Sequence, residues 1–286
     1  MNIVIVGAGG QLASDLVPAL AGHRVVPLPR ADLDVCDASA VRARLTRERP
    51  DVVINTAAFH RVDECERSPD VPFRVNAIAA RDLARVCADL DSTLVSFSTD
   101  YVFDGRQRRP YTEDDAPNPL NVYGVTKLAG ETYIRALCPK HFVVRTTGLY
   151  GVTGASKDGG NFVETMIRLA RAGTPIRVVT DQILTPTYTR DVAQTVAELV
   201  RTDSYGLYHV TNGGACSWYE FAGAVFTALR LTPDLTPTTA AAYGSAARRP
   251  AYSVLAHHRL RAIGLEDLRP WTDALTAYLR EKGHLT

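Results

Sequence analysis

Met1-Asn2-Ile3-Val4-Ile5-Val6-Gly7-Ala8-Gly9-Gly10-Gln11-Leu12-Ala13 opens the chain. Ile3 to Val6 is a short, β-branched apolar run and reads as a buried strand. A glycine turn follows, and Leu12 to Leu20 then carries helical apolar spacing, with Pro18 set to kink or shorten it. Strand, glycine turn and helix together form the context that a dinucleotide fingerprint needs. Gly7 permits the tight turn. Gly10 lets a pyrophosphate approach the backbone at the helix N-terminus, where free N–H groups bind anions. Gln11 and Leu12 complete this candidate cofactor stretch. The spacing Gly7-x-x-Gly10-x-x-Ala13 departs from Gly-x-Gly-x-x-Gly, but at Ala13 only close helix–strand packing is required. Glycine turns after strands also occur without a ligand, so the rest of the chain must decide.

Working outward, strands and helices alternate. Arg24 to Leu28 reads as the second strand, and no acidic residue ends it to hold a ribose 2′-hydroxyl. Arg30 follows, either to pair with a 2′-phosphate or as a solvated loop arginine. Asp34-Val35 comes next, then a helix over 38–49. Asp51 to Asn55 is a third strand running into Thr56-Ala57-Ala58, whose small side chains let a flat ligand lie on the backbone. A helix is expected over 72–90, carrying Asn76, and a fourth strand over 93–97, with Ser98-Thr99-Asp100 at its carboxyl end. The pattern predicts an α/β protein with a Rossmann-like, doubly wound parallel sheet.

Beyond it lie a polar loop over 106–121, a helix over 123–137 and a strand over 142–145. A glycine-rich segment over 148–160 is expected to be mobile. Helices are expected over 161–172, 189–201, 217–229 and 272–282, and strands over 176–179 and 207–210. Ser217 and Glu220 have the spacing of a capping box. Residues 1–150 form the nucleotide-binding domain, with some later segments returning to it. Residues 151–286 form mainly a smaller C-terminal lobe that binds substrate.

Tyr123-Gly124-Val125-Thr126-Lys127 places a phenol and an ammonium on one helix face. A nearby ammonium stabilises phenolate and lowers the phenol pKa, so the pair can exchange a proton with a carbonyl or alcohol oxygen. The formal charge of +1 gives no basic field for nucleic acid, and no apolar run approaches a membrane span. Ile3 to Val6 lacks the basic flank of a signal peptide. Five scattered cysteines, without Cys-x-x-Cys or matching histidines, point to reduced thiols in the cytoplasm and to no zinc site. His60 and His209 lack partner spacing and read as ordinary polar or core histidines.

These residues resemble the extended short-chain dehydrogenase/reductases, and within them the dTDP-4-dehydrorhamnose reductases. The motifs that carry the resemblance span nearly the whole chain. They include Gly7 to Leu12, Asn55 to Ala58, Val62-Asp63, Asn121 to Gly124, Arg145-Thr146, Asn161-Phe162, Asp181-Gln182, Ser217-Trp218 and Arg249-Pro250. The most specific is Ser98-Thr99-Asp100-Tyr101-Val102-Phe103-Asp104-Gly105.

The resemblance implies a reductase of a keto group on a nucleotide-linked deoxysugar, and Arg30 with the missing acidic residue after the second strand points to NADPH with NADH tolerated. It implies Tyr123 as proton donor, Lys127 on the nicotinamide ribose and Thr99 on the reacting oxygen. Gly7, Gly10, Gln11, Leu12, Arg30, Asp34, Val35, Ala57, Ala58, Asn76 and Ser98 fall to the cofactor. Asp100, Tyr101, Phe103, Asn161, Gln182 and Arg249 fall to the sugar nucleotide, with Arg249 equally readable as a solvated arginine.

Three positions depart from that family. Gly148 stands where a tryptophan is usual and Leu184 where a glycine is usual, which leaves the sugar open. Some members dimerise through a carboxylate-bound magnesium. Asp15 and Glu281 match that pattern, but Arg190 replaces a carboxylate, so no metal is expected and a homodimer stays open. Two rivals remain. An epimerase on the same fold would use the same residues. A non-catalytic subunit like the regulatory subunit of methionine adenosyltransferase would keep many of them. A dehydratase would carry Thr-Asp-Glu, whereas here Tyr101 follows Asp100.

Overall fold

The computed structural model describes residues 1–153 and 160–285. Six parallel strands form one sheet, in the order 206–209, 141–146, 93–99, 52–55, 2–6, 24–28. Alternation along the strands explains why both faces are covered. Ile3, Ile5, Val52, Ile54, Phe142 and Val144 enter one core, and Val4, Val6, Val53, Leu94 and Val143 enter the other. Helices Gln11–Ala19 and Thr189–Leu199 cover the first face. Helices Ala38–Glu48, Ala79–Asp89 and Val122–Leu137 cover the second. Each fully buried Val, Leu or Ile contributes about 1.5–3 kcal/mol relative to exposure. The chain thus forms the expected doubly wound α/β sheet.

Strand order reverses beside Asn2–Val6. The chain crosses first to 24–28 on one side and then to 52–55 on the other. Diverging connections leave a crevice outside the carboxyl ends of those two strands. Gly7 stands at its base with φ +79°, and a Cβ there would lie 2.6 Å from the Ala57 nitrogen. The Gly7 N–H donates to the Leu28 carbonyl at 2.9 Å. One residue thereby ties the turn to both neighbouring strands.

A third core lies in the C-terminal half, built from Tyr150, Val163, Ile167, Ile176, Phe221, Val225, Leu275 and Tyr278. Helices Phe162–Arg171, Trp218–Ala228 and Trp271–Glu281 surround it. The Ser217–Glu220 capping box forms as the spacing predicts. Helix 189–199 and strand 206–209 return to the large sheet.

Several elements differ from the sequence expectation. The fourth strand runs on to Thr99, because Ser98 and Thr99 stay in register with Arg145 and Thr146. The helix expected over 72–90 starts at Asp70 and carries a π-helical turn over Phe73–Ile78. The helix Val62–Arg67 and the strand Leu235–Thr238, which pairs with Ile176–Val179, are additional. Within the glycine-rich segment, Leu149–Tyr150 pairs with Thr187–Tyr188. Positions 154–159 of that segment lie outside the described residues. Among the described residues, no helix is long and apolar enough to cross a membrane.

Gly7→Ala forces a side chain into a left-handed φ and against Ala57. It should lower unfolding free energy by about 1–3 kcal/mol in urea titrations. At Gly9 nothing lies within 4 Å of a built Cβ. Gly9→Ala should therefore stay within about 0.5 kcal/mol of wild type.

Candidate active site

A cavity of about 690 Å³ fills the crevice. A smaller one of about 150 Å³ adjoins it, between the strand ends and the C-terminal lobe. His60, Thr99, Asp100, Tyr123, Thr147 and Gly148 line both. The larger cavity is lined by Gly7, Gly10, Gln11 and Leu12 at the glycine turn and by Arg30, Asp34 and Val35 near the second strand. Ala57, Ala58, Ser98, Lys127 and Asn161 complete its predicted lining. The smaller cavity takes Tyr101 and Gln182 as well, with Leu184, Trp218, Pro250 and Ser253.

Three predicted residues do not line either cavity. Asn76 is buried, and its side chain accepts from the Phe59 N–H at 2.9 Å and donates to the Phe59 carbonyl at 3.0 Å. It also donates to Thr126 Oγ1 at 3.0 Å, so it fixes the cleft wall to the helix that carries Tyr123. Phe103 is fully buried, stacked 4.1 Å from the Tyr111 ring. Arg249 is held by Asp63 at 2.8 Å, which pins its loop to helix 62–67. Asn161 does line the cleft, but its amide caps helix 162–171 and bonds Gly151 and Tyr278.

Asn121 caps the helix that carries Tyr123 and Lys127, accepting from the Gly124 N–H at 2.8 Å. Its amide donates to the Arg248 carbonyl at 2.7 Å, linking that helix start to the C-terminal loop. Tyr123 packs edge-on against Tyr101 with ring centroids 6.0 Å apart.

The electrostatics differ from the sequence expectation at Tyr123. Burial, then the Asp100 charge, holds its pKa above the ordinary tyrosine value, while the nearby Thr99 hydroxyl pulls it down. Burial outweighs the depression expected from Lys127, whose own pKa burial lowers to about 8, against the pull of Glu131. Asp100 is also buried, which raises its pKa to about 6. Its Oδ1 accepts from Thr99 Oγ1 at 3.0 Å, and its Oδ2 has no hydrogen bond. Ser253 and Thr147 lie near it without a well-directed bond.

Gln11 Oε1, Thr146 Oγ1 and Thr147 Oγ1 are likewise buried without partners, and all line the crevice. A buried, unbonded polar atom costs about 1–3 kcal/mol, so a concentration of them favours a polar ligand. Gly9 and Gly10 leave open space at the helix N-terminus. These features fit a dinucleotide. Arg30 is 88% exposed at the rim and faces Asp34 at 3.5 Å.

Sequence reasoning missed His60, Thr147, Trp218 and Ser253 as lining residues, since they come from four separate segments. His209 is a core residue, bonded to Ala256 and Arg145. Arg190 pairs with Glu281. Among the described residues, no group of three or more His, Cys, Asp or Glu is placed to hold a metal ion.

The family described as the RmlD substrate binding domain matches residues 1–283. The chain belongs to this family. It is 42% identical over 282 residues to a dTDP-4-dehydrorhamnose reductase of Streptomyces griseus, covering 96% of this chain and 91% of that one. It is 40% identical over 283 residues to the spore coat polysaccharide biosynthesis protein SpsK of Bacillus subtilis, covering 98% of each chain. Among solved structures it is similar to a dTDP-4-dehydrorhamnose reductase of Bacillus anthracis in complex with NADP. The TM-score is 0.94 at 38% identity, covering 98% of this chain and 100% of that one.

Gly148 and Leu184, the two positions that leave the sugar open, meet in space. Gly148 has φ +55°, and a Cβ there would lie 2.9 Å from Leu184 Cδ1. Leucine at 184 thus fills space that a side chain at 148 would enter, and both residues face the smaller cavity.

Asp100 tests the electrostatics of the site. Its folded pKa lies above its unfolded one, so the fold loses stability as pH rises from about 4 to about 6, and the loss is complete above that. Asp100→Asn removes the buried charge. Its stability relative to wild type should therefore be on the order of 1–3 kcal/mol more favourable at pH 7 than at pH 4, read from paired urea titrations.

Proposed function

We propose that this chain reduces the keto carbon of a nucleotide-linked 4-keto-6-deoxy sugar, with NADPH as reductant and NADH tolerated. The observation that carries this is that Thr99 and Tyr123 line both cavities while Lys127, on the same helix as Tyr123, lines the larger one. The larger cavity would hold the dinucleotide through Gly7, Gly9, Gly10, Gln11, Asp34, Val35, Ala57 and Ala58. The sugar would lie among Asp100, Tyr101, Gln182 and Leu184. When bound, the nicotinamide supplies the hydride.

The protein's own part is proton transfer and orientation. Burial keeps the Tyr123 phenol protonated at neutral pH, which is the state a proton donor needs. Thr99 can turn its hydroxyl from Asp100 and donate to the carbonyl oxygen as it gains negative charge. Tyr123 then gives its proton to that oxygen. The Lys127 ammonium stabilises the phenolate left behind, and solvent reprotonates it. The five free thiols suit a reducing cytoplasm. Turnover of NADPH with a panel of dTDP- and UDP-linked 4-keto sugars, with product analysis, tests the assignment. Absence of reduction across the panel would overturn it.

Tyr123→Phe removes one hydroxyl. NADPH affinity should persist, while kcat falls by about 10²–10⁴-fold. Stopped-flow single turnover checks this, and near-normal turnover would assign the proton to another group.

Arg30 reaches solvent at the rim, so any contact with a 2′-phosphate is worth at most about 1 kcal/mol. Arg30→Ala should weaken NADPH binding by no more than about fivefold and leave NADH binding unchanged in fluorescence titrations.

A further inference from the structure

Strand 141–146 ends on the crevice with Thr146, directly opposite Thr99 of strand 93–99. Phe142 and Val144 enter the first core, and alternation puts the Thr146 side chain on their face of the sheet. Phe97 packs against the same core, so Thr99, two residues on, shares that face. The two threonine side chains therefore stand next to each other on neighbouring strands, which run about 4.8 Å apart. Thr146 is 5% exposed, and its hydroxyl finds no partner among the described residues. It lines the larger cavity and not the smaller one.

Other polar groups of the larger cavity are committed elsewhere. Ser98 donates to Glu131, Thr56 to the Val6 and Gly7 carbonyls, and Asn161 to Gly151 and Tyr278. Asp100 and Thr147 also carry unpartnered atoms, but both residues line the smaller cavity as well. A buried hydroxyl without a partner weakens a fold, and valine fills the same volume without that cost. Thr146 thus suits a ligand better than it suits a core.

We propose that the Thr146 hydroxyl binds the carboxamide of the nicotinamide ring and anchors that ring beside Thr99. The proposal rests on the reductase reading, which puts the dinucleotide in the larger cavity and the reacting oxygen at Thr99. Hydride leaves the ring carbon next to the one that bears the carboxamide. Transfer requires that carbon to stand close to the keto carbon whose oxygen Thr99 holds. The carboxamide then falls beside Thr99 on the dinucleotide side, which is where Thr146 stands. It offers two N–H donors and a carbonyl acceptor, and a threonine hydroxyl both donates and accepts. The pyrophosphate belongs at the open helix N-terminus by Gly9 and Gly10, so it does not compete for this hydroxyl.

Calorimetric titration of wild type, Thr146→Val and Thr146→Ser with NADP⁺ and with 2′-phospho-ADP-ribose tests this without turnover. The second ligand lacks only the nicotinamide ring. Thr146→Val should weaken NADP⁺ binding by roughly three- to tenfold and leave 2′-phospho-ADP-ribose binding unchanged. Thr146→Ser keeps the hydroxyl and should bind both ligands as wild type does. Thr146→Val should also melt no lower than wild type, since the fold loses no hydrogen bond. Unchanged NADP⁺ affinity in Thr146→Val would overturn the proposal. So would an equal loss for both ligands, which would place the effect away from the ring. Failure of Thr146→Val to fold would overturn it too, by making the hydroxyl structural. If NADP⁺ binding falls as expected but wild type reduces no keto sugar, the contact stands and the reductase reading fails.

Discussion

A parallel sheet buried on both faces leaves polar chemistry only one place to go. Ile3 to Val6 alternate between two cores, and so do Val52 to Ile54 and Phe142 to Val144. Backbone N–H and C=O groups within the sheet satisfy one another, and side chains there must be apolar. The first polar residues that can meet a ligand are those just past each strand. Gly7, Gly9 and Gly10, Thr56 to Ala58, Thr99-Asp100 and Thr146-Thr147 stand at or just past four strand ends, and they line the crevice. The site follows from the way the core is built.

The exceptions inside the sheet are informative for the same reason. Arg145 is buried mid-core and reaches Glu131, Phe103 and His209. Removing a carboxylate from water costs several kcal/mol, and the bidentate guanidinium with the Ser98 hydroxyl offsets that by occupying its lone pairs. Asp100 has no such cradle. One of its oxygens lacks a bond, and its pKa rises. Two buried carboxylates thus differ in how their oxygens are satisfied, Glu131 by a cation and a hydroxyl and Asp100 by one hydroxyl.

Local patterns in the sequence carried the fold well. Strand periodicity, the glycine turn and the Ser217 cap depend on neighbours a few residues apart, so they can be read along the chain. Side-chain direction cannot. Asp100, Tyr101 and Phe103 are adjacent in one motif, yet the chain turns at Asp100–Val102 and sends Phe103 into a core against Tyr111. Asn76 and Arg249 bond protein groups that lie 17 and 186 positions away. The Tyr123 pKa was misjudged for a related reason. A lysine four residues away is visible in sequence, but the desolvation that outweighs it comes from the whole fold.

The meeting of Gly148 with Leu184 shows how such non-local contacts shape selectivity. The two residues are far apart in the chain, and each alone suggests a different change in the pocket, one wider and one narrower. Placed together they are a single exchange, with bulk moved from one wall of the smaller cavity to the other. Tryptophan is larger than leucine, so the exchange removes more bulk at 148 than it adds at 184 and alters the shape of the cavity as well. The smaller cavity is only about 150 Å³, so moving a side chain from one wall to the other bears on which ring substituents fit beside Thr99 and Tyr123. Proton donation requires the reacting oxygen near the phenol, whatever the sugar. The exchange therefore acts on which ring substituents are tolerated and leaves the proton-transfer set untouched.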